Sequence, residues 1–377
     1  MAFVDLERFD ANVAEVGRRA AGRRVRVASK SVRSRTLLER ILREPPFAGL
    51  MCYSAAEAVW LAERGFRDLL VAYPACQAEQ LAAVARAVRG GAGIVLMVDS
   101  EEHVALAAAA AARAGAVLPV CLDADMSSRF PGLHFGVRRS PLRRPEEARA
   151  LARAVARAEG LVLEGLMGYE AQIAGVPDDP RGRRAEGVVI RALKRRSRGE
   201  VARRRAAMVA AVREECPGLR FVNGGGTGSL ESTGAEACVT EVTAGSAFFA
   251  PALFDGYRSF RHQPAAGFAL EVARRPGPGL LTCHGGGYVA SGRAGADRLP
   301  QPWLPEGLRL LPAEGAGEVQ TPLRDAGRER LALGDPVLFR HAKAGELCEH
   351  FDRLLLVEDG RVAGEAPTYR GEGQCFL

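Results

Sequence analysis

Lysine is nearly absent from this chain. Of 52 basic residues only three are lysine, Lys30, Lys194 and Lys343, and arginine supplies the rest. Arginine keeps its proton in a protein, whereas lysine can shed one and form an imine, so a lysine in so arginine-rich a chain is a candidate for chemistry. Also missing is any C-x-x-C spacing among the eight cysteines, which argues against a zinc knuckle or a disulfide framework. Several cysteines lie in apolar segments such as Val120-Cys121-Leu122, where they act as small core residues, and a reducing cytoplasm suits them. No apolar run is long enough to span a bilayer. The most apolar stretch, Val104 to Leu118, is mostly alanine, is broken by Arg113 and reads as a packed helix, so no membrane association is expected. The opening residues Met1 to Glu7 lack a basic segment followed by an apolar one, so no secretory leader is expected. The basic run from Arg181 to Arg205 lacks interleaved aromatics and is interrupted by Glu186 and Glu200. Despite a net charge of +7, it reads as a solvated helix face carrying Lys194 as surface charge, and no nucleic-acid partner is expected.

What is present is a regular alternation. The length of 377 residues suggests about two domains, and 47% hydrophobic residues suffice for a sizeable core. Strand-like runs occur at Val25 to Ser29, Gly49 to Ser54, Asp68 to Tyr73, Ile94 to Asp99, Leu118 to Asp123, Leu163 to Tyr169, Arg220 to Asn223 and Glu241 to Phe249. Helical stretches separate them: Ala55 to Gly65, Gln77 to Arg89, the alanine-rich segment, Glu146 to Ala158, and an arginine-rich stretch ending near Glu215. This pattern predicts an α/β fold, a (β/α)₈ TIM barrel, with an open doubly wound sheet as the alternative. An amphipathic segment, Leu6 to Arg19, precedes the first strand. After about Tyr257 glycine and proline become frequent, and short β-like pieces appear at Gly267 to Val272, Gly279 to Cys283, Pro336 to Arg340 and Arg353 to Val357. The expected division is a barrel over 1–256 and a mostly β domain over 257–377, with residues 1–20 a candidate contributor to the latter.

Barrel active sites lie at the C-terminal ends of the strands. Lys30 stands at such an end, in Val25-Arg26-Val27-Ala28-Ser29-Lys30. Directly after the seventh strand comes Asn223-Gly224-Gly225-Gly226-Thr227-Gly228-Ser229. Glycines let backbone N–H groups approach an anion, hydroxyls add donors, and this barrel recurrently binds phosphate after strands seven and eight. No lysine follows the glycines, so this is not a Walker loop, and it does not open the first βα unit, so it is not a dinucleotide fingerprint. Ala244-Gly245-Ser246 offers a further donor. An amine at one strand end and a phosphate cradle at another suit pyridoxal 5′-phosphate, which carries an aldehyde and a phosphate.

These residues, with Gly168-Tyr169-Glu170 and the segment around His341, resemble the fold-type III, alanine racemase-like pyridoxal phosphate enzymes. The nearest branch is that of D-threonine aldolase and D-serine dehydratase. The resemblance covers almost the whole chain. It implies a homodimeric lyase that cleaves or dehydrates a small D-configured, β-hydroxy amino acid. Lys30 would form the Schiff base and move protons at Cα. Arg129 would lie near the cofactor's phenolic oxygen and Tyr169 against its ring. Asn223, Gly225, Gly226, Thr227 and Ser229, with Gly245 and Ser246, would hold the phosphate. That branch binds a divalent metal through a C-terminal His-x-Cys or His-x-Asp pair. Here His341 is followed by Lys343, a cation where a ligand belongs, although Cys348 or Glu346 offers a substitute after a turn, and His284 is a further candidate. Without metal, His341 or Lys343 would donate a proton or bind the substrate carboxylate. The alternatives are an amino acid racemase, with Tyr288 or His341 as second acid–base group, and a non-catalytic pyridoxal phosphate-binding protein.

Overall fold

The computed structural model describes residues 1–180, 182–327 and 331–377. Arg181, where the basic run begins, lies outside the described residues. The chain forms two compact units. One comprises Val16–Lys30, Ile41–Gly245 and Phe376–Leu377; the other comprises Met1–Glu15, Ser31–Arg40 and Ser246–Cys375.

The first unit is a closed barrel of eight parallel strands: β1 (Arg24–Ala28), β2 (Phe47–Cys52), β3 (Leu69–Val71), β4 (Ile94–Val98), β5 (Leu118–Asp123), β6 (Leu161–Gly168), β7 (Phe221–Gly224) and β8 (Glu241–Ala244). Each falls within or across a run read from the sequence. Closure rests on β8 pairing with β1, Thr243 opposite Arg26 and Ala244 opposite Val27, which excludes the open sheet. The connecting helices start where short polar side chains can cap them. Ser54 Oγ accepts from Glu57 N ahead of helix Ala55–Glu63, and Ser100 Oγ accepts from His103 N ahead of helix Glu101–Ala114. That alanine-rich helix stops at Gly115, which takes the left-handed conformation at φ 60°.

The barrel interior is filled rather than hollow. Leu70, Met97, Cys121, Met167 and Phe221 form one buried cluster. Phe221 occupies the space opposite Gly165, where a Cβ would lie 2.3 Å from its ring. A fully buried cation, Arg26, lies 5.3 Å from the centroid of that ring. It is tolerated because it is paired: Nε donates to Glu241 Oε1 at 2.6 Å, Nη2 to Glu241 Oε2 at 3.1 Å, and Nη1 to the Asp68 carbonyl at 2.8 Å.

Two residues of the basic run are not surface charge. Lys194 is buried and its Nζ donates to Asp178 Oδ2 at 3.1 Å. Arg205 is fully buried against Glu170 and Glu236. Both lie on helix Arg184–Glu215, whose inward face spends charge on internal pairing. No described helix is long and apolar enough to cross a membrane.

The second unit is built on a nine-stranded sheet. Its spine runs Arg309–Leu310, Gln320–Arg324, Leu280–His284, Ala266–Gly277, Ala2–Asp5, Arg353–Glu358, Arg361–Pro367. Gln301–Leu304 joins through Pro336–Arg340, which pairs with Ala266–Gly277. Ala2–Asp5 is a central strand, antiparallel to 266–268 and parallel to 354–357. The unit thus joins the first fifteen residues and Ser31–Arg40 to the chain from Ser246 onward. Its core holds Phe268 stacked on Phe339, centroids 5.3 Å apart.

Candidate active site

Parallel strands put all eight C-terminal ends at one mouth. Lys30 sits there, in the turn Ser29–Ser31 after β1, with its side chain exposed. Its Nζ donates to Tyr73 Oη at 2.8 Å, two residues beyond β3. The Arg139 guanidinium lies 5.7 Å from the Tyr73 ring centroid and 5.8 Å from that of Tyr169, the first residue after β6. Arg129, expected in this role, is instead exposed on a small hairpin, opposite His134. The chain makes a β-hairpin, Ser128–Phe130 with Leu133–Phe135, before returning toward the mouth, so the arginine ten residues later arrives there. Asp123 ends β5 and is 8% exposed. Burial first, then the charge of Asp99, push its carboxyl up to about 7.

The glycine loop after β7 is held from two sides. Glu170, buried and directly after Tyr169, accepts from Gly225 N at 3.3 Å, Ser229 Oγ at 2.6 Å and Thr233 Oγ1 at 2.5 Å, and is itself paired with Arg205 Nη2 at 2.5 Å. Arg19 Nη2 donates to the Thr227 carbonyl at 2.8 Å, while its Nε reaches Glu231 at 2.6 Å. Gly225 has φ 81°, a conformation only glycine takes without strain. A Cβ at Gly226 would stand 2.9 Å from Ala174 Cβ and 3.1 Å from the Tyr169 ring. Burial first, then the Glu170 charge, push the Tyr169 phenol up to about 12, so it stays neutral.

Two expected phosphate ligands are already engaged within the protein. Ser229 Oγ donates to Glu170 and accepts from Gly226 N at 3.1 Å. Asn223 donates to Glu241 Oε1 and to Thr243 Oγ1, both at 2.9 Å, in the barrel interior. Thr227 and Gly228 follow in the same loop after β7, and Gly245 directly follows β8. Sequence reasoning missed Glu170, Tyr73, Arg139 and Asp123. For Glu170 a signal existed, since it adjoins Tyr169 in a quoted motif.

β1, β8 and β7 are consecutive in the barrel. With neighbouring strands roughly 4.8 Å apart, the ends of β1 and β7 are separated by about 10 Å. One small aromatic molecule spans that distance.

The second unit holds the C-terminal candidates. The strand Pro336–Arg340 stops before both, and 341–345 is not strand, so His341 and Lys343 do not share a strand face. His341 is buried, edge-on to Phe249 at 6.2 Å. Burial first, then Arg340, bring its imidazole down to about 3, so it is neutral. Lys343 Nζ donates to Ser291 Oγ at 2.6 Å and Glu346 Oε1 at 3.1 Å. Cys348 Sγ donates to the Val32 carbonyl at 3.4 Å, and burial pushes its thiol up to about 12. Tyr288 packs on Phe268, His350 and Phe351, and His284 is exposed. Among the described residues no three His, Cys, Asp or Glu side chains converge as a metal requires.

With this geometry in view, the lineage is plain. The chain belongs to the alanine racemase N-terminal domain family, whose model matches residues 4–250. A 3-hydroxy-D-aspartate aldolase from Paracoccus denitrificans is 26% identical over 250 residues, 65% of this chain; the match spans 59% of that relative's length. Among solved structures, D-threonine aldolase from Filomicrobium marinum superposes with a TM-score of 0.83 at 21% identity, covering 98% of this chain and 95% of that one. D-threo-3-hydroxyaspartate dehydratase from Delftia sp. HT23 superposes with a TM-score of 0.72 at 20% identity, covering 97% and 96%. At these identities the structural likeness is one of fold, and it extends over both units.

Proposed function

We propose that this chain is a pyridoxal 5′-phosphate-dependent lyase acting on a small β-hydroxy amino acid of D configuration, by aldol cleavage or dehydration. The observation that carries the reading is one amine, Lys30, at the end of β1, with a glycine loop at the end of β7, two strands away in a closed barrel. The configuration and the β-hydroxyl are taken from the activities in the names of the three similar proteins.

When bound, the cofactor supplies a conjugated ring that accepts the electron pair left at the substrate's Cα. Lys30 would hold its aldehyde carbon and, once displaced by the substrate amine, take or return a proton at Cα. Residues 226–228, Gly245 and Ser246 would hold its phosphate. Tyr169, neutral and fixed beneath the loop, supports the ring, and Arg139 is the cation available to the phenolic oxygen. Glu170 and Arg19 keep the loop formed before anything binds, which lowers the ordering cost of binding. A reducing cytoplasm suits eight cysteines of which none is disulfide-bonded.

The residues around His341 do not fit a divalent metal. A tethered ammonium stands two residues on, and among the described residues no three His, Cys, Asp or Glu side chains converge. A racemase is the second reading, favoured by the family itself, with Tyr288 or His341 as the second acid–base group.

Separate incubations with each enantiomer of threonine and of 3-hydroxyaspartate test the proposal. The D substrates are expected to give glycine with an aldehyde, or a keto acid with ammonia. Inversion without cleavage assigns the racemase; no turnover of any of them contradicts both enzyme readings.

A further inference from the structure

The Lys30 amine donates to a phenol that the proposed chemistry leaves unused. Tyr73 Oη accepts from Lys30 Nζ at 2.8 Å, and the same nitrogen lies 5.4 Å from the ring centroid. Arg139 approaches the ring from the segment after β5, at 5.7 Å. One cation thus meets the hydroxyl and a second lies over the ring, and the Asp123 carboxyl, at the end of β5, is the opposing group. Tyr73 is half-buried. Burial pushes its phenol up, but the Lys30 charge and hydrogen bond, with Arg139, outweigh burial and Asp123, so the net direction is down. Tyr169 shares Arg139 but has Glu170 beside it instead of a lysine, and it goes the other way.

We infer that Tyr73 is a catalytic residue, the proton partner of Lys30: as the phenolate, its oxygen takes the proton that the lysine ammonium must lose before the nitrogen can attack a carbonyl carbon, so that an ammonium–phenolate pair becomes an amine–phenol pair. One N–H bond breaks, one O–H bond forms, and the electron pair stays on nitrogen; when an incoming substrate amine displaces the lysine, the proton returns. No oxidant or further reactant is needed. The inference deepens the lyase reading and rests on it only in requiring that an aldehyde cofactor attach to Lys30.

The test is the rate at which pyridoxal 5′-phosphate attaches to cofactor-free protein, followed by its absorbance from pH 6 to pH 10. Wild type, Tyr73→Phe, Arg139→Gln and Lys30→Ala are compared. Tyr73→Phe keeps the ring and removes only the hydroxyl. It is expected to slow attachment on the order of 10²-fold near pH 7 and to approach the wild-type rate at pH 10. Arg139→Gln, an exposed position, should move the profile the same way by a smaller amount, and it carries the test if Tyr73→Phe fails to fold. A Tyr73→Phe profile that tracks wild type at every pH overturns the inference, as does a slowing equal at all pH values, which marks mere packing. If Lys30→Ala takes up the chromophore as wild type does, or wild type takes up none, the cofactor reading fails and this inference with it.

Discussion

Asp123 closes β5 as a carboxylic acid held near its point of ionisation. Its folded value of about 7 lies above the ordinary 3.8 because burial and Asp99 both penalise the anion. The sign follows by linkage: stability from this group is intact below the unfolded value and is lost as pH rises through the folded one. Asp123→Asn, which cannot ionise, should gain on wild type as pH climbs from about 4 to about 7, by a few kcal/mol once the shift is fully expressed. Denaturant unfolding of both proteins at pH 5 and pH 8 checks this; an equal difference at the two pH values would contradict it. At this scale the sequence was unevenly legible. Lys30 stood out because lysine is scarce. Tyr73, Arg139 and Glu170 did not, because each gains its meaning from a partner that only the pairing of distant strands brings near. Tyr73 is 43 positions from Lys30, and Glu170 is 55 from Gly225.

Among the elements, the eight barrel strands and their helices were legible because apolar runs buried on both faces leave a direct pattern. The strands missed in the second unit are short or largely exposed. Arg361–Pro367 is exposed along most of its length, so no apolar alternation marks it. It follows a two-residue turn. Asp359 and Gly360 both have positive φ, 49° and 69°, as a two-residue hairpin turn of the Asp-Gly kind requires. The glycine loop shows how one element serves another. Gly226 packs against Tyr169 and Ala174 with no room for a methyl group. Gly226→Ala is expected to weaken cofactor affinity roughly tenfold, in line with the strain of overpacking, with only a small change in Tm. Equilibrium titration with pyridoxal 5′-phosphate measures this, and an unchanged Kd would show that the loop does not form the cradle.

For the molecule as a whole, the barrel and a strand-rich companion were visible in the sequence. Composition shifts near Tyr257, but the second unit also takes in Met1–Glu15 and Ser31–Arg40. A four-residue strand, Ala2–Asp5, pairs with partners more than 260 positions away, and nothing local in its sequence announces that. His341 and Lys343 belong to this unit and follow a strand that ends at Arg340.

The central claim is a covalent one, and three lysines make it decidable. After incubation with pyridoxal 5′-phosphate, borohydride reduction and proteolysis, mass mapping should find the reduced pyridoxyl group on the peptide carrying Lys30, at close to one per chain. Label on Lys194 or Lys343 instead, or no stable label at all, would contradict the account.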